Sequence, residues 1–131
     1  MTPQVAVGAF IFDGDRVLAI QRGKPPGEGL WSIPGGRVEP GERIADAIKR
    51  EIFEETQLVI EVGPLACVIE RIGEGYHYVI IDHVARVVSG TLHATDDARD
   101  ARWVTDAELR ALPTTEGLLE ALAQARALDF P

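Results

Sequence analysis

The sequence predicts an α/β chain of the α+β kind, a sheet with helices packed against it. Three observations predict it. Short β-branched and apolar runs, punctuated by glycine, recur before residue 40 and again after residue 58. Between them, from Glu42 to about Thr56, the hydrophobic period changes to that of a helix. A last amphipathic stretch, EGLLEALAQARAL, closes the chain.

Taken in order, VAVGAFIF and RVLAIQR flank DGD, the pattern of a β-hairpin. GKPPGEG is a loop by composition, and LWSIPGGRVEPGE continues without helical period to the turn signal Pro40-Gly41. Ile44, Ala45, Ile48 and Ile52 then fall on one face of a helix. LVIEV, LACVIERI and YHYVIIDHVARVV read as three strands, broken by GP and GEG. ATDDARDA reads as an acidic loop and ARWV as a short strand. TDAEL has the Thr-x-x-Glu form of a capping box and opens a short helix.

The 131 residues suit one domain, 1–131, with a real core. Apolar residues at 46% and charged residues at 26% describe a globular chain, and no apolar run approaches the roughly 20 residues of a membrane span. A net charge of −8 argues against a broad nucleic-acid or anionic-membrane surface. It does not exclude a small phosphorylated substrate, which would need local cations, a bound metal or specific arginines, and a homodimer is left open. The lone Cys67 excludes an intrachain disulfide, and the N-terminus lacks the basic region of a secretory signal, so a cytoplasmic setting is expected.

REIFEET, residues 50–56, places Glu51, Glu54 and Glu55 near the end of the helix. That end already carries partial negative charge on its unpaired carbonyls. With Ile44 at zero on a helical wheel, Ile48 and Ile52 fall at about +40° and +80°, Glu55 at about +20°, Glu51 at about −20° and Glu54 at about −80°. A solvated acidic face would lie opposite Ile48. Glu55 instead points where the core should be. A hard divalent cation, Mg²⁺ or alternatively Mn²⁺, prefers carboxylate oxygen and neutralises such a cluster.

The upstream spacing adds to this. Gly36 is followed by five residues and Glu42, then by seven residues and Arg50-Glu51-Ile52, then by one residue and Glu54-Glu55. The stretch Gly36 to Leu58 resembles the Nudix box at every specified position but one, with Gln57 where the family has glycine. LWSIPGG before the box and ARWVTDAEL after it are similar to the family's flanks.

The resemblance implies an α/β/α sandwich with a mixed central sheet. It implies a Mg²⁺-dependent hydrolase that cleaves the phosphate anhydride of a nucleoside diphosphate linked to another moiety. Carried over residue by residue, it makes Glu51 and Glu55 metal ligands, Glu54 a ligand or the base that takes the water's proton, and Gly35 the donor of a backbone carbonyl to the metal. Arg50 would hold the glutamates by ion pairing, and Gly36 would let the backbone approach substrate. Glu42 would shape the helix start.

Arg22, between a strand and the Pro-Gly loop, is a candidate for a substrate phosphate. Asp96, Asp97 and Asp100 occupy the loop where some family members place a further catalytic carboxylate, and Asp97 is the candidate taken. Trp31 is expected in the core. Tyr76 and Tyr78 share a strand face and are expected to pack across strands. His77, His83 and His93 form no zinc-like cluster. HYVIIDHVAR followed by DDARDARWV resembles the branch of the family that acts on ADP-ribose-like nucleoside diphosphate sugars, and the resemblance implies such a substrate. The rival enzyme reading is a nucleoside triphosphate pyrophosphatase that sanitises the nucleotide pool. The rival of another class is a Nudix-like domain that senses a nucleotide without cleaving it.

Overall fold

Alternation along the strands gives the sheet two apolar faces, and the helices cover both. In the computed structural model, which describes residues 1–95 and 97–130, the strands are β1 (Gln4–Asp13), β2 (Arg16–Arg22), β3 (Trp31–Ser32), β4 (Gly35–Arg37), β5 (Val59–Gly73), β6 (Tyr76–Ser89) and β7 (Ala98–Thr105). The helices are α1 (Ile44–Thr56), α2 (Asp106–Arg110) and α3 (Leu118–Ala127). Among the described residues the strands form one seven-stranded mixed sheet. Its central order is β3-β2-β1-β6-β5, with β4 also paired to β1 and β7 to β2. β1 and β6 run parallel, and the other pairs are antiparallel.

Val7, Ala9 and Ile11 of β1 point to one face and pack with Ala47, Ile48 and Ile52 of α1. Phe10 points to the other face and packs with Trp31, Leu109 of α2, and Leu118 and Leu122 of α3. The result is the α/β/α sandwich. Among the described residues no helix is long and apolar enough to cross a membrane. Trp31 is in the core, as expected, with the Arg102 guanidinium over its ring at 4.9 Å.

Four details differ from the sequence reading. First, LVIEV and LACVIERI are one strand, β5, continuous through Gly63-Pro64 by register shifts between Val62 and Leu65 and between Leu65 and Cys67. Proline is tolerated there because β5 lies at the sheet edge, where a missing donor breaks no ladder. Second, β7 begins at Ala98, so Asp100 pairs with Gln21 in the sheet instead of lying in the acidic loop. Third, Ile44 and Ala45 are exposed in the first turn of α1, and the buried face runs through Ala47, Ile48, Ile52 and Glu55. The buried arc is thus rotated toward the glutamates. Fourth, the final helix starts at Leu118, after Gly117. The capping box is present as read: Glu108 N donates to the Thr105 hydroxyl, and Thr105 N donates to the Glu108 carboxylate.

Gln57, at the position usually glycine, ends α1 with φ 66° and ψ 12°, in the left-handed region. Its N–H donates to Phe53 O at 2.9 Å, the single bond that closes a left-handed helix end. A residue with a Cβ is strained there by roughly 1 kcal/mol. Gln57→Gly is therefore expected to leave the melting temperature unchanged or raise it. A clear drop in a thermal melt would contradict the strained cap.

Candidate active site

β1 and β2 pair only beside their connecting turn, Phe12 with Val17 and Asp13 with Arg16. Beyond that they part. β4 takes the freed edge of β1 and β3 takes that of β2. Around this opening lies a cavity of about 520 Å³, a size usual for small-molecule sites. Glu51, Glu55, Gly35 and Gly36 line it, as do Arg22, Arg71, Tyr76, Tyr78 and Asp82.

The glycine pair sets how closely α1 approaches. A Cβ on Gly36 would lie 2.3 Å from the Glu51 carboxyl, and one on Gly35 would lie 2.1 Å from Val7 O. The Gly35 contact is with backbone and leaves no room for a side chain, while a Cβ on Gly36 would displace the Glu51 carboxyl. Gly35 N donates to Glu55 Oε1 at 2.8 Å. Glu55 is only 5% exposed, so the carboxylate that the helical wheel placed in the apolar arc is indeed buried.

Arg50 organises the remaining acids. Its Nε and Nη2 grip Glu42 at 2.7 and 2.8 Å, its Nη1 reaches Glu51 at 2.8 Å and Glu54 at 3.4 Å, and Nη2 also donates to Arg37 O at 3.0 Å. This planar fork against a carboxylate is a contact lysine cannot copy. The Arg50 bond, then the Glu39 N–H, pull the Glu42 carboxyl down to about 2. The same Glu42 bond raises Arg50 above the usual arginine range. Glu42 thus anchors Arg50, a sharper role than shaping the helix start.

The sequence candidates fall into two groups. Glu51, Glu55, Gly35, Gly36, Arg22 and Asp97 share the cavity wall. Glu54 is not among the lining residues; it is 44% exposed and pairs with Arg50. Arg22 Nε donates to Pro26 O at 2.6 Å, which tethers it to the loop. Asp97 pairs with Lys24 at 2.9 Å. Asp100 instead binds Arg102 and its own neighbour's N–H, and Asp96 lies outside the described residues. Among the described residues, no three His, Cys, Asp or Glu side chains form a closed metal cage.

Tyr76 and Tyr78 do more than pack across strands. Their ring centroids are 5.9 Å apart and both rings line the cavity. The sequence reading also missed Asp82 and Arg71. Asp82 sits on the same face of β6 as the two tyrosines, at even spacing, and that alternation was the available signal. Its carboxyl is 3% exposed, and burial raises it to about 6 against a weaker opposing pull from Arg71. The Cys67 thiol, 4.0 Å from it, is pushed up to about 11 by burial and then by Asp82.

The chain matches the family model described as NUDIX domain over residues 2–125. It is 38% identical over 104 residues to the ADP-ribose pyrophosphatase of Methanocaldococcus jannaschii, across 77% of this chain and 61% of that protein. It is 38% identical over 94 residues to the 8-oxo-dGDP phosphatase NUDT18 of Mus musculus, across 72% of this chain and 28% of that one. The chain therefore spans under two thirds of either relative. A crystal structure of a MutT NUDIX hydrolase from Burkholderia pseudomallei superposes with a TM-score of 0.88 at 32% identity, covering 95% of this chain and 98% of that one.

A buried acid whose native pKa is raised favours folding when protonated and opposes it when ionised. For Asp82 the stabilisation is present below about pH 4 and is lost as pH rises through about 6. A shift of this size corresponds to at most about 3 kcal/mol. Asp82→Asn should therefore gain stability over wild type between pH 4 and 7, as read by paired thermal melts. A difference that stays constant across that range would contradict this account of Asp82.

Proposed function

The chain belongs to the Nudix hydrolase family, and from that premise we propose that it is a pyrophosphohydrolase. It cleaves the phosphate anhydride of a nucleoside diphosphate linked to another moiety, with Mg²⁺, or Mn²⁺ in its place, as cofactor. One observation carries the reading: Glu51 and Glu55 stand on one cavity wall beside a glycine pair, with Arg22 lining the same space.

The residues fit a hard divalent cation. The donors are carboxylate oxygens, and the space a Cβ of Gly36 would fill is kept for the Glu51 carboxyl. Mg²⁺ commonly takes one or two carboxylates and completes its shell with water and substrate phosphate, and Glu51 and Glu55 are two such carboxylates on the wall. Glu51, Glu55 and the Gly35 carbonyl would hold it. When bound, the cation supplies charge neutralisation at the anhydride and a more acidic attacking water.

The chain's own groups do the rest. Glu54, part-exposed and paired with Arg50, serves as a further ligand or accepts the water's proton. Arg50 keeps Glu51 and Glu54 aimed while Glu42 holds Arg50. Gly36 lets the substrate approach the backbone, and Arg22 takes a phosphate oxygen. Asp97 contributes to proton transfer only after leaving Lys24, which makes it a secondary participant.

ADP-ribose-like substrates remain the preferred class, supported by the name of the archaeal relative. The second reading, sanitising of the nucleotide pool by cleavage of a nucleoside triphosphate, is supported by the name of a Mycobacterium tuberculosis relative, Putative 8-oxo-dGTP diphosphatase 2, 35% identical across 95% of this chain and 91% of that one; the name of the mouse relative supports action on an oxidised nucleoside diphosphate. A sensing domain needs only the cavity. The retained Glu51, Glu54 and Glu55 favour the enzyme.

The test is a panel of ADP-ribose, other nucleoside diphosphate sugars and nucleoside triphosphates, with Mg²⁺ or with excess EDTA. Release of phosphorylated products with Mg²⁺ and none with EDTA is expected. Undiminished turnover in EDTA would reject the metal mechanism, and binding without turnover would establish the sensor.

A further inference from the structure

Two polar side chains on the cavity wall have no strong partner among the described residues. Asp82 is buried, and its Oδ1 has no hydrogen-bond partner. Its Oδ2 has only the Cys67 thiol, a weak donor at 4.0 Å. Gly8, opposite in register, keeps this carboxyl in place, because a Cβ there would lie 2.5 Å from Oδ1. Arg71 of β5 lines the same cavity, and no hydrogen bond or ion pair engages its guanidinium among the described residues. Burial, then nearby Arg22, lower it below the usual arginine range, while Asp82, Glu116 and Tyr76 oppose them.

Buried polar groups are almost always partnered, so the lone Asp82 acceptor asks for an occupant; the half-buried Arg71 guanidinium opens onto the same space, so one occupant can serve both. Arg71 pairs in register with Tyr78, and Asp82 lies four residues further along β6, about 13 Å of strand. Between them the face carries Ile80, and the Tyr76–Tyr78 ring pair stands at the Arg71 end. This wall is aromatic and aliphatic with an acceptor and a donor set at its margins. A phosphate would satisfy Arg71 and be repelled by Asp82. A sugar hydroxyl would satisfy Asp82 and leave the aromatic wall unused. A flat heterocycle with an N–H donor beside a ring acceptor satisfies all three.

We propose that Asp82 and Arg71 form the subsite that reads the edge of the nucleotide's base, with the base packed against Tyr76 and Tyr78. The proposal rests on the nucleotide reading above and deepens it. Asp82 accepts from the base's N–H or amino group, and Arg71 donates to an adjoining ring nitrogen or carbonyl oxygen. Adenine and guanine both offer such an edge, and comparison of their monophosphates shows which one the site takes. Neither side chain belongs to the glutamate cluster, so base recognition and the glutamates can be impaired separately.

The experiment is calorimetric titration, in Mg²⁺ buffer, of AMP, GMP and ribose 5-phosphate into wild type, Asp82→Asn and Arg71→Met. Wild type is expected to prefer at least one nucleotide over ribose 5-phosphate by roughly 10-fold or more, the scale of a base-edge contact. Each variant should bring that ratio toward one, and Arg71→Met serves if Asp82→Asn does not fold. Equal affinities in wild type, or a ratio unchanged in the folded variants, overturn the subsite. The second outcome would mean that buried water serves Oδ1. Base preference without anhydride cleavage would sink the hydrolase reading and leave the subsite standing. Cleavage with a ratio insensitive to both variants would sink the subsite alone.

Discussion

One guanidinium, Arg50, makes the crowd of carboxylates tolerable. Glu42, Glu51 and Glu54 all bond to it, and Glu39 stands 3.7 Å away. It also reaches the Arg37 carbonyl at the end of β4, so one side chain ties together the glycine strand, the loop before α1 and the helix itself. Without it, neighbouring acids on the helix would repel one another at a terminus that already carries negative partial charge. α1 has no basic residue in its last turn to offset that charge.

The same terminus is served by a segment far along the chain. His93 N donates to Thr56 O, Thr95 N to Glu55 O, and the Thr95 hydroxyl to Glu54 O. Carbonyls that a helix end leaves unpaired thus find donors, and the backbone of Glu54 and Glu55 is held from below. Their side chains are held from above by Arg50 and by Gly35 N. The parting of β1 and β2 supplies the remaining element, a cavity that brings this end of α1 and the tyrosine face of β6 to the same space.

Much of this was legible because local rules were strong. The fixed spacing from Gly36 to Leu58 identified the cluster, and the wheel put Glu55 on the buried arc of α1, where it is, with its carboxylate on Gly35 N. The capping box at Thr105 and the strained cap at Gln57 follow from backbone chemistry within four residues. What was missed depends on distant partners. Whether Gly63-Pro64 interrupts a strand depends on its place at the sheet edge, and the early start of β7 depends on β2 alongside. Asp82 and Arg71 look like ordinary alternating strand residues until the cavity shows what they face. The grip of Glu42 on Arg50 spans eight residues, farther than the local rule that favours an acid at a helix start can reach.

The central claim is that the carboxylates are placed for a cation and strain the protein without one. Glu55→Gln tests it, because glutamine keeps an acceptor for Gly35 N while removing the charge. Thermal melts of variant and wild type, each in EDTA and in saturating Mg²⁺, give the answer. In EDTA the variant should melt at the same temperature as wild type or higher, since repulsion with Glu51 is relieved. In Mg²⁺ the order should reverse, because only wild type gains the full stabilisation from binding. A variant that melts well below wild type in EDTA, with no further separation in Mg²⁺, would make Glu55 a structural hydrogen-bonding residue and contradict the account.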